Sequence, residues 1–117
     1  MAPNRRRAKG RREGGTFTRL PHAVTQSPQY ADLSAYAVKL LVDMLNQYRG
    51  HNNGDLSVAF RLMQRYGWKS KDTLNRARKE LLNRGFIVLT RQGGRNQASL
   101  YAVTWIGIDE CGGKLFR

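Results

Sequence analysis

Lys71-Asp72-Thr73-Leu74-Asn75-Arg76-Ala77-Arg78-Lys79-Glu80-Leu81-Leu82-Asn83-Arg84-Gly85-Phe86-Ile87 is the stretch from which the rest of the chain can be read. Leu74, Ala77 and Leu81 recur at helical spacing and mark an inward face, with Leu82 on its flank. At about 100° per residue, Asp72, Asn75, Arg76, Lys79 and Asn83 gather on the other side, which carries no large apolar residue. Ser70 supplies an N-cap hydroxyl and Gly85 a left-handed stop, so the spacing predicts a helix over 71–84. Phe86–Arg91 is rich in Phe, Ile and Val and reads as a strand; Gln97–Ile106 reads as a second. Gln92-Gly93-Gly94-Arg95-Asn96 between them is a flexible polar turn, and the three pieces make a hairpin.

Upstream, Trp68 and Lys69 form a turn behind Gly67. Before it, Val58–Tyr66 reads as a helix capped by Ser57, with Ala59, Leu62, Met63 and Tyr66 on one face. Asp55-Leu56-Ser57 fits a small edge strand, and Asn53-Gly54 a tight turn with positive φ. The clearest helix runs from Ser34 to about Tyr48. Its stripe is Ala37, Leu40, Leu41, Met44, Leu45 and Tyr48, its cap Ser34, and Leu33 is placed to staple onto Val38. Gly50 ends it. Pro28 opens a short helical turn after Ser27, and Pro21 stops any earlier helix.

Charge follows this plan. The chain of 117 residues carries a net charge of +13. Residues 61–95 hold ten Lys and Arg against two acids, and residues 1–15 hold six against one. Residues 16–60 and 96–117 each balance to zero. The excess therefore sits on one arm and on a helix, turn, helix, hairpin unit, a distribution that points to nucleic acid. The expected organisation is a disordered basic arm over 1–15, one domain over 16–106 and a tail over 107–117. A transit peptide or a solubilising tail are rival readings of the arm.

The order helix, short strand, helix, helix, hairpin resembles the winged helix-turn-helix family over roughly Ser34 to Trp105. The resemblance rests on Leu33-Ser34-Ala35-Tyr36-Ala37-Val38-Lys39-Leu40-Leu41, Tyr66-Gly67-Trp68-Lys69-Ser70, the run from Leu74 to Ile87, and Arg91-Gln92-Gly93-Gly94-Arg95. It is closest in look to small winged-helix proteins of phages, plasmids and mobile elements, replication-initiation proteins among them. It implies a mainly α fold with a small β-hairpin (α+β), a three-helix core plus wing. It also implies a recognition helix in the major groove and a wing on the backbone or minor groove. A regulator or a replication-associated protein is the expected role. The second domain that larger members use for sensing or oligomerisation is not expected within these 117 residues.

The residues themselves name the candidate contacts. Asn75, Arg76, Lys79 and Asn83 face outward; Arg suits guanine O6 and N7, and Asn suits adenine. Lys69, Ser70 and Lys71 stand at the helix start, where free N–H groups attract phosphate. Arg91 and Arg95 flank the Gly-Gly tip and suit a narrow, negative minor groove, with Gln92, Asn96 and Gln97 beside them. Arg5, Arg6, Arg7, Lys9, Arg11 and Arg12 can track phosphates without sequence preference. Each set also fits an ordinary solvated surface. Double-stranded DNA is the leading expected partner. RNA and an acidic protein surface are the alternatives, and a homodimer through residues 106–117 stays open.

Other chemistry finds little footing. His22 and His51 have no Cys or acid at ligand spacing, and no metal is expected. Cys111 beside Asp109 and Glu110 has no placed base, and the adjacent acids disfavour its thiolate. Gly93-Gly94 lacks the ending of a phosphate-binding loop. A non-enzyme without cofactor is expected. One cysteine excludes an internal disulfide, no apolar run suits a bilayer, and the basic start lacks the apolar stretch of a secretory signal, so a cytoplasmic protein is expected.

Overall fold

The chain places two amphipathic helices against a small sheet, with short helical turns tying them together. A computed structural model describes residues 15–109. The arm expected over 1–15 lies outside that range apart from Gly15, as do Cys111, Phe116 and the tail beyond Asp109. In chain order the described elements are α1 (His22–Thr25), α2 (Pro28–Ala31), α3 (Ala35–Leu45), β1 (Leu56–Ser57), α4 (Phe60–Met63) with a 3-10 turn (Gln64–Tyr66), α5 (Lys71–Asn83), β2 (Ile87–Arg91) and β3 (Leu100–Val103). The strands form one antiparallel sheet in the order β1-β3-β2. The fold is α+β.

Three of these starts are fixed by serine caps. Ser27 Oγ accepts from Tyr30 N, Ser34 Oγ from Ala37 N and Ser70 Oγ from Thr73 N, each at 3.1–3.2 Å. Pro28 occupies the first turn of α2, where its missing N–H costs nothing. Gly67 and Gly85 take φ of 97° and 79°, ending the 3-10 turn and α5 in the left-handed region open to glycine.

Ala37, Leu40, Leu41, Met44 and Leu45 of α3 are buried against Leu74, Ala77 and Leu81 of α5 and against Leu56, Ile87, Tyr101 and Val103 of the sheet. Each large side chain contributes roughly 1.5–3 kcal/mol on burial, so the α3–α5–sheet contact is the main source of stability. Glu80 fastens the two long helices together. Its carboxylate accepts from Ser34 N at 2.8 Å and from Ser34 Oγ at 2.7 Å, at the positive end of α3. Asn53 is wholly buried. Its Oδ1 accepts from Val103 N, and its Nδ2 donates to the carbonyls of Val103, Ile106 and Gly107. Thr90 Oγ1 donates to Gly54 O across β3, and so carries the 52–55 turn over the strand. Gln47 donates to Ser57 O at 2.7 Å and accepts from Ser57 N at 2.9 Å.

Several expected boundaries move. The helix expected to reach Tyr48 ends at Leu45, and only residues 46–47 continue as a turn. The helix expected over Val58–Tyr66 shrinks to α4 plus the 3-10 turn, because Ser57 is drawn into β1 opposite Leu100. Ser57 Oγ then accepts from Ala59 N instead of capping a helix, and Ala59 is exposed. The last strand narrows from Gln97–Ile106 to Leu100–Val103, since β1 and β2 flank only those residues. α5 stops at Asn83, with Arg84 its C-cap, and β2 begins at Ile87. Among the described residues no helix precedes Pro21, as expected, and its carbonyl accepts from Val24 N and Thr25 N, launching the unforeseen α1.

Candidate nucleic-acid interface

The start of α5 is held from behind by the turn that precedes it. Trp68 is 4% exposed, and its Nε1 donates to Asp43 Oδ2 at 2.8 Å. Lys39 joins the same carboxylate at 3.0 Å, donates to Tyr66 O and lies 5.6 Å from the Trp68 ring. Trp68 is thus a structural anchor with Tyr36 tilted against it at 6.0 Å. With the turn pinned, Lys69, Ser70 and Lys71 are exposed at the first turn of α5. Lys71 Nζ sits 5.7 Å from the Phe60 ring, which sets α4 beside that turn.

Along α5 the inward set is Leu74, Ala77 and Leu81, all buried. Asp72, Asn75, Arg76, Lys79 and Asn83 are all exposed. Arg76 donates Nε and Nη2 to Asp72 Oδ2 at 3.1 and 2.6 Å. Asn75 Oδ1 accepts from the guanidinium of Arg78, whose Nη1 also reaches the Tyr101 hydroxyl at 3.4 Å. Lys79 and Asn83 make no side-chain hydrogen bond to another described residue. Arg78 was not among the expected contacts; its place three residues after Asn75 is the signal that marks it.

The hairpin stands beside this helix. One open groove of about 390 Å³ is lined by Arg78 and Leu82 of α5 and by Leu89, Gln92, Ala98 and Ser99 of the hairpin. A second of the same size follows Lys71, Asp72, Asn75 and Arg78, and the two share Val58 and Arg78. Within the hairpin the candidates divide. Arg95 is exposed at the tip, beside Asn96 at φ 64°, in a turn closed by the Gly94–Gln97 bridge. Gln92 and Gln97 are also exposed. Arg91 folds back: Nη2 donates to Ala98 O at 2.9 Å, which ties the end of β2 to the segment before β3. Gly93 serves the hairpin itself, because a Cβ there would collide with the backbone of Ser99 and Gln97. A Cβ at Gly94 would point into open space.

The candidates Arg5, Arg6, Arg7, Lys9, Arg11 and Arg12 lie outside the described residues. Among the described residues no group of acids and histidines could hold a metal ion, and no helix is long and apolar enough to cross a membrane. His51 Nδ1 lies 3.3 Å from Arg49 O within its own loop. No family model, curated protein or solved structure matches the chain.

Proposed function

We propose that this chain is a winged helix-turn-helix domain that binds double-stranded DNA without catalysis. α5 is its recognition helix and the 87–103 hairpin its wing. The carrying observation is the joint exposure of Asn75, Arg76, Lys79 and Asn83 on one face of a buried-backed helix, with Arg95 at the tip of the hairpin alongside. A helix of this width fits the major groove, and its Arg, Lys and Asn side chains can bond base edges and phosphates. The pairing of β1 with β3 and of β3 with β2 also suits the winged-helix plan. Lys69 and Lys71 would meet backbone phosphate, Arg95 the adjacent minor groove, and the basic arm further phosphates. Arg91 would act through the shape of the hairpin instead of by direct contact.

The double variant Arg76→Ala/Lys79→Ala tests the assignment. Both side chains are exposed and neither supports the core. Duplex affinity at low salt is expected to fall by about a hundredfold, with a melting temperature within about 2 °C of the parent. Unchanged affinity removes α5 as the contact helix. Competition by duplex RNA or single strands that matches duplex DNA would favour an RNA binder. A partner retained after nuclease treatment, with no duplex affinity, would favour protein contact.

A further inference from the structure

Asp72 is the acidic residue on the outward face of α5, within a stretch of +8 net charge. The other acid of that stretch, Glu80, is committed to Ser34. A carboxylate in this position opposes any phosphate that approaches the face. As a first-turn acid Asp72 favours the start of α5, but that needs no partner, and its pair with Arg76, the two side chains being 73% and 75% exposed, adds little to stability.

What the pair does fix is an orientation. Asp72 Oδ2 occupies the Nε–Nη2 edge of the Arg76 guanidinium. The end of the fork, formed by Nη1 and the second Nη2 proton, stays open. That end matches the two acceptors O6 and N7 of guanine. Asn75 is held in the opposite sense. Its Oδ1 is taken by Arg78, so its amide can donate but not accept. Paired reading of adenine needs both functions and is withheld while that contact lasts.

We propose that Asp72 is the specificity-determining residue of this face. It aims Arg76 at guanine and penalises docking on phosphate alone, so selectivity is gained at the expense of raw affinity. The inference rests on the duplex-DNA reading above and names the base it selects.

The test uses the full chain and a duplex pool with a randomised core. Enriched duplexes are expected to carry guanine at a fixed position. Affinity is then measured for an enriched duplex and for a shuffled duplex of the same composition. Asp72→Ala is expected to lower the enriched-to-shuffled ratio by about tenfold or more, mostly by binding the shuffled duplex more tightly. Arg76→Lys keeps the charge but loses the fork, and is expected to lower the ratio similarly. The double variant should lose no more than either single one, as coupled groups do. If Asp72→Ala shifts both affinities by one factor, or if no guanine is enriched, the selectivity role is overturned while DNA binding stands. If the parent chain enriches no duplex and binds none at low salt, the DNA reading falls and this inference with it.

Discussion

Asn53 has no exposed surface, and its side-chain amide is answered on both its oxygen and its nitrogen by the end of β3. Its own N–H donates to Asp109 Oδ2, and its carbonyl accepts from Asp109 N, so one residue closes the chain segments around it. Asn53→Ala would strand the Val103 N–H in the interior and free the segment after β3. It is expected to cost about 2–4 kcal/mol in urea denaturation; a loss below about 0.5 kcal/mol would show that water replaces the amide at no cost. This role was not legible in sequence. Asn53-Gly54 reads as a turn, and the turn forms, with Gly54 at φ 119° and Asp55 N donating to Asn52 O. A plug into residues some fifty positions away leaves no local pattern. Arg91 is similar: an arginine beside a glycine pair looks free in sequence, and only the register of the hairpin brings Ala98 O to it.

At the scale of elements, caps and apolar stripes carry most of the information. Ser34 and Ser70 cap as their positions predict, Ser27 caps the turn that Pro28 opens, and the inward and outward faces of α5 separate as helical periodicity requires. Those signals are local, so they survive folding unchanged. α4 is less legible because Ser57 has two possible uses, helix cap or edge strand. The sheet takes it, since pairing with β3 also buries Leu56. The contact of Glu80 with Ser34 is equally invisible, as 46 residues separate them. Glu80→Ala is expected to lower stability by about 1–2 kcal/mol, because the first turn of α3 loses a charged acceptor. That corresponds to a fall in melting temperature of roughly 4–16 °C for a domain of this size. No change would place the pair among surface contacts that water replaces.

For the whole molecule, charge placement is the most legible property, and it governs the proposed binding. The log of the binding constant is expected to fall linearly with log salt, with a slope of about −0.9 per phosphate neutralised. Six to ten phosphates would reduce affinity by roughly 10³–10⁵ between about 50 and 200 mM salt. A slope near zero in a titration by fluorescence anisotropy would contradict a polyanionic ligand. The hairpin and the outer face of α5 were foreseeable from sequence, whereas the bracing by Arg91 and the groove between the hairpin and Arg78 and Leu82 were not, because they depend on contacts distant in sequence. The amide of Gln47 has a last consequence for the molecule among its own copies. It imitates a peptide group and fills both ladder positions of Ser57 that point away from β3. A neighbouring molecule therefore finds no vacant rung there on which to add a strand. The opposite border, β2, is broken by the irregularity between Leu89 and Arg91. Strand addition is thus blocked at the β1 margin, while any growth of the sheet is left to the β2 margin, where Val88 and Leu89 are exposed.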